Sequence, residues 1–176
     1  EYKSKAVIVA STGNMAASVS AYCALAQIPC FVFIPNKTPE AKTAQVSFYG
    51  AHVVKVDGGY DEIARFVEQT AEKYNLYLAG DYSFRVEGQK SQAYEILIQL
   101  KNVPDYILVP TGNGTNIYAI WKGLKDFYEL GLIHKLPKMV AVQVDSYNAI
   151  YRAFYDKNQQ LQPTKDIVTT SASAIA

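Results

Sequence analysis

The stretch VASTGNMAAS, residues 9–18, decides the fold. It leaves a β-branched run and enters a row of small helix-compatible residues, so a buried strand turns into a helix through Ser11, Thr12, Gly13 and Asn14, with no charged side chain at the corner. Backbone amides, two hydroxyls and one carboxamide at such a corner are donors aimed where the helix dipole already favours negative charge. Ser11, Thr12 and Gly13 offer hydroxyls and amides to an anion, and Asn14 is expected to donate from its carboxamide and to cap a helix starting at Met15. Ordinary helix capping explains the corner equally well when it is taken alone.

Working outward, short β-branched or apolar runs at 6–10, 31–34, 52–56, 76–79, 106–109 and 139–144 read as strands. Helical patterns separate them. Ile63, Phe66, Val67, Thr70, Ala71 and Tyr74 form one apolar stripe behind Asp61 and Glu62. A second helix follows Pro39 and stops before Gly50, a third over 89–100 is expected to bury Ala93, Ile96, Leu97 and Leu100, and a fourth after Thr115 offers Ile117, Ile120, Trp121, Leu124 and Tyr128. Strands joined by crossover helices pair in parallel, so the expected fold is α/β with doubly wound parallel sheets. Residues 80–88, GDYSFRVEG, read as a polar, aromatic loop between two lobes, 1–82 and 83–176. Ligands of such sheets gather at the carboxyl ends of strands, which directs attention to the loops after Ala10, Ala79 and Pro110.

Composition narrows the classes of partner. Lys plus Arg number 17 and Asp plus Glu 16 in 176 residues, so the net charge of +1 offers no broad field to nucleic acid or an anionic membrane. No apolar run is long enough for a transmembrane helix, and residues 1–5 lack the pattern of a signal peptide, which points to a cytoplasmic protein. Cys23 and Cys30 lack CxxC spacing and nearby histidines, and His52 and His134 are isolated, so core or surface packing is expected of them and no metal site. Fourteen tyrosines are compatible with a homo-oligomer contact, but core packing explains them as well.

A second uncharged corner, PTGNGTN at 110–116, follows the strand DYILV. Gly112 and Gly114 allow successive N–H groups to converge at a helix N-terminus, the form of a phosphate cup. It lacks the lysine of a Walker loop and the spacing of GxGxxG, which argues against nucleoside triphosphates and dinucleotides. A glycine-rich turn with capping residues is the plain alternative. Two such corners in one α/β chain imply a ligand with a phosphate at one end and a carboxylate at the other.

STGNMAAS at 11–18, RVEGQKS at 85–91 and PTGNGTN, with AIWKG at 119–123, resemble the threonine synthases, members of the tryptophan-synthase-β-like, fold type II group of pyridoxal-phosphate enzymes. The likeness runs through nearly the whole chain. The first motif is shared with serine/threonine dehydratases and cysteine synthases; EGQK after an arginine, and GNGTN, point more narrowly. The resemblance implies a two-lobed fold type II architecture, incomplete in these residues, and pyridoxal 5′-phosphate as cofactor. Asn14 would bond the 3′-oxygen of the cofactor ring, and Ser11, Thr12, Gly13, Asn14 and Met15 would hold the substrate carboxylate. Gly112, Asn113, Gly114, Thr115 and Asn116 would hold the cofactor phosphate. Arg85 matches the arginine that grips the phosphate of O-phospho-L-homoserine, a task suited to a planar guanidinium; a lobe-boundary salt bridge is its alternative.

The implied activity is that of a carbon–oxygen lyase acting on phosphates, which turns O-phospho-L-homoserine and water into L-threonine and phosphate. One local departure keeps a dehydratase-like substrate in view: Gly80-Asp81-Tyr82-Ser83 stands where the family commonly supplies Asn and Ser to the substrate phosphate; Gly114-Thr115, where the family often has a small residue and then Gly, is a milder change in the cup. Family members also carry a Schiff-base lysine in an SxK setting before the first motif. Lys3 and Lys5 do not match that setting, so an internal fragment without its own catalytic lysine is expected, inactive by itself. A non-catalytic module that binds a phosphorylated metabolite through PTGNGTN is the alternative of a different class.

Overall fold

A computed structural model of the chain describes residues 4–80, 83–155, 170–172 and 175. Lys3, Asp81 and Tyr82 lie outside them. The chain forms two compact units, Glu1–Gly80 and Asp81–Ala176. Among the described residues no helix is long and apolar enough to cross a membrane.

The first unit runs β1 (Val7–Ala10), α1 (Asn14–Ala26), β2 (Cys30–Pro35), α2 (Glu40–Phe48), β3 (His52–Val56), α3 (Tyr60–Tyr74) and β4 (Tyr77–Leu78). Its strands are all parallel in the order β3-β2-β1-β4, with Val7 opposite Cys30 and Phe31 opposite His52. Side chains alternate across the sheet, as the two-residue period of a strand requires. Val9, Cys30, Val32 and Ile34 pack with Ala16, Cys23 and Val46 in one cluster, and Ile8 and Phe33 pack with Ile63, Val67 and Ala71 in the other. Both faces are covered, which explains the nearly continuous apolar strands. The chain steps from β1 outward to β2 and β3, then crosses back to set β4 on the far side of β1. This reversal makes the carboxyl end of β1 a topological switch point, where open α/β sheets take their ligands.

The stripe expected of α3 is narrower than its sequence pattern. Ile63, Val67 and Ala71, one turn apart, are buried, whereas Phe66 and Tyr74 on its flanks are 48% and 60% exposed. Glu62 closes the helix start by accepting the Gly59 N–H at 2.8 Å. Cys23 and Cys30 are buried free thiols. Burial, reinforced by the neighbouring Cys23, pushes the Cys30 thiol up to about 12, so it packs as a small apolar group.

The second unit contains α4 (Ser83–Gln89), α5 (Ser91–Leu100), β5 (Tyr106–Pro110), α6 (Thr115–Glu129), β6 (Lys138–Val142), a 3-10 turn (Asp145–Tyr147) and α7 (Ala149–Tyr155). β5 and β6 pair in parallel, from Tyr106 opposite Lys138 to Pro110 opposite Val142. Ala93 and Leu97 of α5, Ile120 and Leu124 of α6 and Val109 of β5 share one buried cluster. Gly123 lets α5 and α6 approach closely: a Cβ there would stand 2.4 Å from the Lys90 carbonyl oxygen.

Several expectations need correction. The polar loop over 80–88 is a helix from Ser83 onward, held by ion pairs of Glu87 to Lys90, just before α5, and to Lys122 of α6, the second of which local composition does not reveal. The helix expected from residue 89 starts at Ser91. Leu100 and Tyr128 are 57% and 48% exposed, because each lies in the last turn of its helix, past the shared core. The 3-10 turn and α7 had no counterpart in the sequence reading.

Three helices end on non-glycine residues in the left-handed region, at Gln27, Asn75 and Lys101. Asparagine tolerates that region and lysine does not, so Lys101→Gly, at φ 54°, is expected to stabilise the protein by about 0.5–1 kcal/mol. Asn75→Gly should change little. Thermal unfolding of the two variants checks the contrast.

Candidate functional site

The first corner lies at the switch point. β1 ends at Ala10, and the Gly13 N–H donates to Ser11 Oγ at 3.3 Å, a local bond that turns the chain. Gly13, extended at φ −122°, is the N-cap of α1. Asn14 is therefore the first helical residue and does not cap a helix starting at Met15. A capping side chain sits before the helix, where it can fold back onto the first amides; one residue later it projects outward. Asn14 and Gly13 are exposed, and Ser11, Thr12 and Met15 are half-buried. The first turn of α1 holds no acidic residue, and no side chain bonds its cap. The N-terminal amides thus keep their preference for an anion. The Tyr60 hydroxyl, at the start of α3, donates to Ala10 O at 3.3 Å and steadies the strand end. Sequence reasoning missed this bond, which spans 50 residues.

The second corner is built on β5. Thr111 is buried; its N–H donates to Val142 O at 2.8 Å and its hydroxyl to Val109 O at 2.7 Å. Gly114 caps α6 at φ +90°, a conformation that favours glycine. Asn113 Oδ1 accepts the Thr115 N–H at 3.1 Å, so Asn113 shapes the turn with its own side chain. Space is tight around the glycines: a Cβ on Gly112 would lie 3.2 Å from Ile175 Cα, and one on Gly114 3.3 Å from Ile150 Cδ1. Gln143 reaches the same loop, donating to Gly112 O at 3.4 Å.

Arg85 lies half-buried on α4. Two residues on, Glu87 accepts from Lys122 of α6 and pairs with Lys90 at 2.7 Å; Lys90 also pairs with Asp126 at 2.9 Å, and the Tyr94 hydroxyl donates to Asp126 at 2.6 Å. Lys122 first, then Lys90, holds the Glu87 carboxyl below its ordinary value; Tyr94, then Lys90, does the same for Asp126. Glu87 in turn raises the Lys90 and Lys122 ammonium groups. Depressed carboxyls stabilise the fold above their unfolded pKa and lose that contribution as pH falls through the folded value. Raised ammonium groups stabilise below their unfolded pKa and lose it as pH rises through the folded value. The network is therefore strongest between about pH 5 and about pH 10. Hydrogen-exchange protection of α4 should fall below about pH 4 in the wild type and show a weaker acid dependence in Glu87→Gln, with a small amplitude because water screens these side chains.

The residues of the second corner fit a phosphate-bearing cofactor. The first turn of α6 carries no acidic side chain. Asn116 Oδ1 is enclosed there without a hydrogen-bond partner among the described residues. Buried polar groups are rarely left so, and either orientation of the carboxamide leaves a polar atom there for a bound group to satisfy.

The family profile described as pyridoxal-phosphate dependent enzyme matches residues 1–176. The chain is 42% identical over 167 residues to a threonine synthase of Methanocaldococcus jannaschii, which covers 93% of this chain and 41% of that protein. It is 40% identical over 170 residues to the chloroplastic threonine synthase 2 of Arabidopsis thaliana, covering 94% of this chain and 33% of that one. It thus spans well under half the length of these relatives. Among solved structures, the processed form of threonine deaminase isoform 2 from Solanum lycopersicum superposes with a TM-score of 0.84 at 23% identity, over 98% of this chain and 48% of that one. Maize serine racemase superposes with a TM-score of 0.82 at 23% identity, over 99% and 50% of the two chains. The solved structures agree with the parallel α/β fold, the sequence relatives carry the finer likeness, and the chain belongs to the pyridoxal-phosphate dependent enzymes.

Proposed function

We propose that the protein is a threonine synthase, forming L-threonine and phosphate from O-phospho-L-homoserine and water. The observation that carries this reading is the identity of 42% to a threonine synthase across 93% of the chain. The anion-accepting character of both corners supports it.

The amides of Gly112, Asn113, Gly114 and Asn116, with the Thr115 hydroxyl, hold the cofactor phosphate, with the α6 dipole in support. Asn14 donates to the oxygen on the cofactor ring. Ser11, Thr12 and Gly13, with the amides of Asn14 and Met15, hold the substrate carboxylate and fix the orientation of the bonds that react. Arg85 grips the substrate phosphate through its guanidinium fork. Pyridoxal phosphate, when bound, supplies the electron sink that the chemistry requires. These residues bind and orient; they do not themselves supply the nucleophile.

The full-length protein, loaded with pyridoxal phosphate, tests the reading in two parallel assays. Threonine from O-phosphohomoserine should form far faster than 2-oxobutyrate from threonine. The reverse order would make the protein a dehydratase.

A further inference from the structure

The pairing of β5 with β6 does not stop at Pro110 opposite Val142. It continues through the Thr111 N–H to Val142 O, at 2.8 Å. At the next residue the chain turns into the cup, and on the β6 side a side chain takes over the bonding. Gln143 Nε2 donates to Gly112 O at 3.4 Å and to Tyr147 O at 3.3 Å, while Gln143 Oε1 accepts the Tyr151 N–H at 2.9 Å. One half-buried carboxamide thus joins the cup, the end of the 3-10 turn and the start of α7. The same helix sets Ile150 against Gly114, so α7 forms a wall of the cup.

Gly112 C=O and Asn113 N–H belong to one planar, trans peptide unit, in which the two groups point in opposite directions. Holding the carbonyl toward Gln143 therefore aims the Asn113 N–H away from it. Glutamine suits this position better than glutamate. A carboxylate would set lone pairs against two carbonyl oxygens and place a negative charge beside an anion site.

We infer that Gln143 is a positioning residue for the phosphate cup: its carboxamide fixes the 112–113 peptide and so orients the Asn113 N–H toward a bound phosphate. This rests on the reading that the cup takes the phosphate of pyridoxal phosphate. An N–H oriented in advance contributes more to binding than one that must reorganise.

Equilibrium dialysis of the full-length protein against pyridoxal phosphate and, separately, pyridoxal tests the inference. Gln143→Met keeps the shape and removes all three bonds; it should weaken pyridoxal phosphate tenfold or more and leave pyridoxal within about twofold. Gln143→Glu keeps the acceptor for Tyr151, so that the bond to α7 is retained if the Met variant fails to accumulate, and should show the same selective loss at neutral pH. Either variant binding pyridoxal phosphate as the wild type does, or losing both ligands equally, overturns the role of Gln143. A wild type that binds pyridoxal phosphate no better than pyridoxal contradicts the assignment of the cup itself.

Discussion

Replacing Arg85 by alanine is expected to lower kcat/KM for O-phosphohomoserine by about a hundredfold, while 2-oxobutyrate formation from threonine changes less than about threefold. A guanidinium fork gives a phosphate two charge-assisted hydrogen bonds, each contributing about 1.5–3 kcal/mol, so losing both removes about 3 kcal/mol or more from binding the phosphorylated substrate. Threonine carries no phosphate and loses neither bond. The setting of α4 favours this division of labour. Glu87 is tied to Lys122 of α6, and residues two apart on a helix are separated by about 200°. Arg85 therefore lies on nearly the opposite side of α4 from the residue that anchors it. Arg85→Lys keeps the charge without the fork and should recover about tenfold of the loss. Equal loss of both activities in Arg85→Ala would assign the residue to structure instead.

Gly123→Ala is expected to destabilise the protein by about 1–3 kcal/mol, against the direction that helix propensity gives. Alanine in the middle of a helix is normally about 0.5–1 kcal/mol better than glycine. At this position the added methyl would lie 2.4 Å from the Lys90 carbonyl oxygen and 2.9 Å from Ala93 Cβ, and the nearer of these is backbone that cannot rotate away. α5 and α6 must separate, which loosens Ala93, Leu97, Ile120 and Leu124 in their shared core. For a unit of this size the melting temperature should fall by about 4–8 °C per kcal/mol. A rise on calorimetry would show that the interface yields at no cost.

What the sequence revealed and what it withheld have physical causes. The strands were legible because each is a short β-branched run between helical patterns; His52–Val56 falls where its alternation places it. Both corners were legible because glycine, asparagine and hydroxyls at the end of a strand have few roles other than turning and binding. α4 was missed because SFRVEGQ contains a glycine and little apolar periodicity, and its support comes from Lys122, 35 residues beyond Glu87. The role of Asn14 as a cap failed by a single residue, the scale on which helix ends are least readable. Gln143 carried a weak signal, a lone polar residue at the end of the apolar run MVAV, and its partners Gly112 and Tyr151 are visible only in the folded chain.

The most direct test of the central claim is a crystal structure of the full-length protein loaded with pyridoxal phosphate. The phosphate oxygens should lie within hydrogen-bond distance of the backbone amides of Gly112, Asn113, Gly114 and Asn116, at the N-terminus of α6. A phosphate bound elsewhere, with those amides turned to water or to other protein groups, would contradict it.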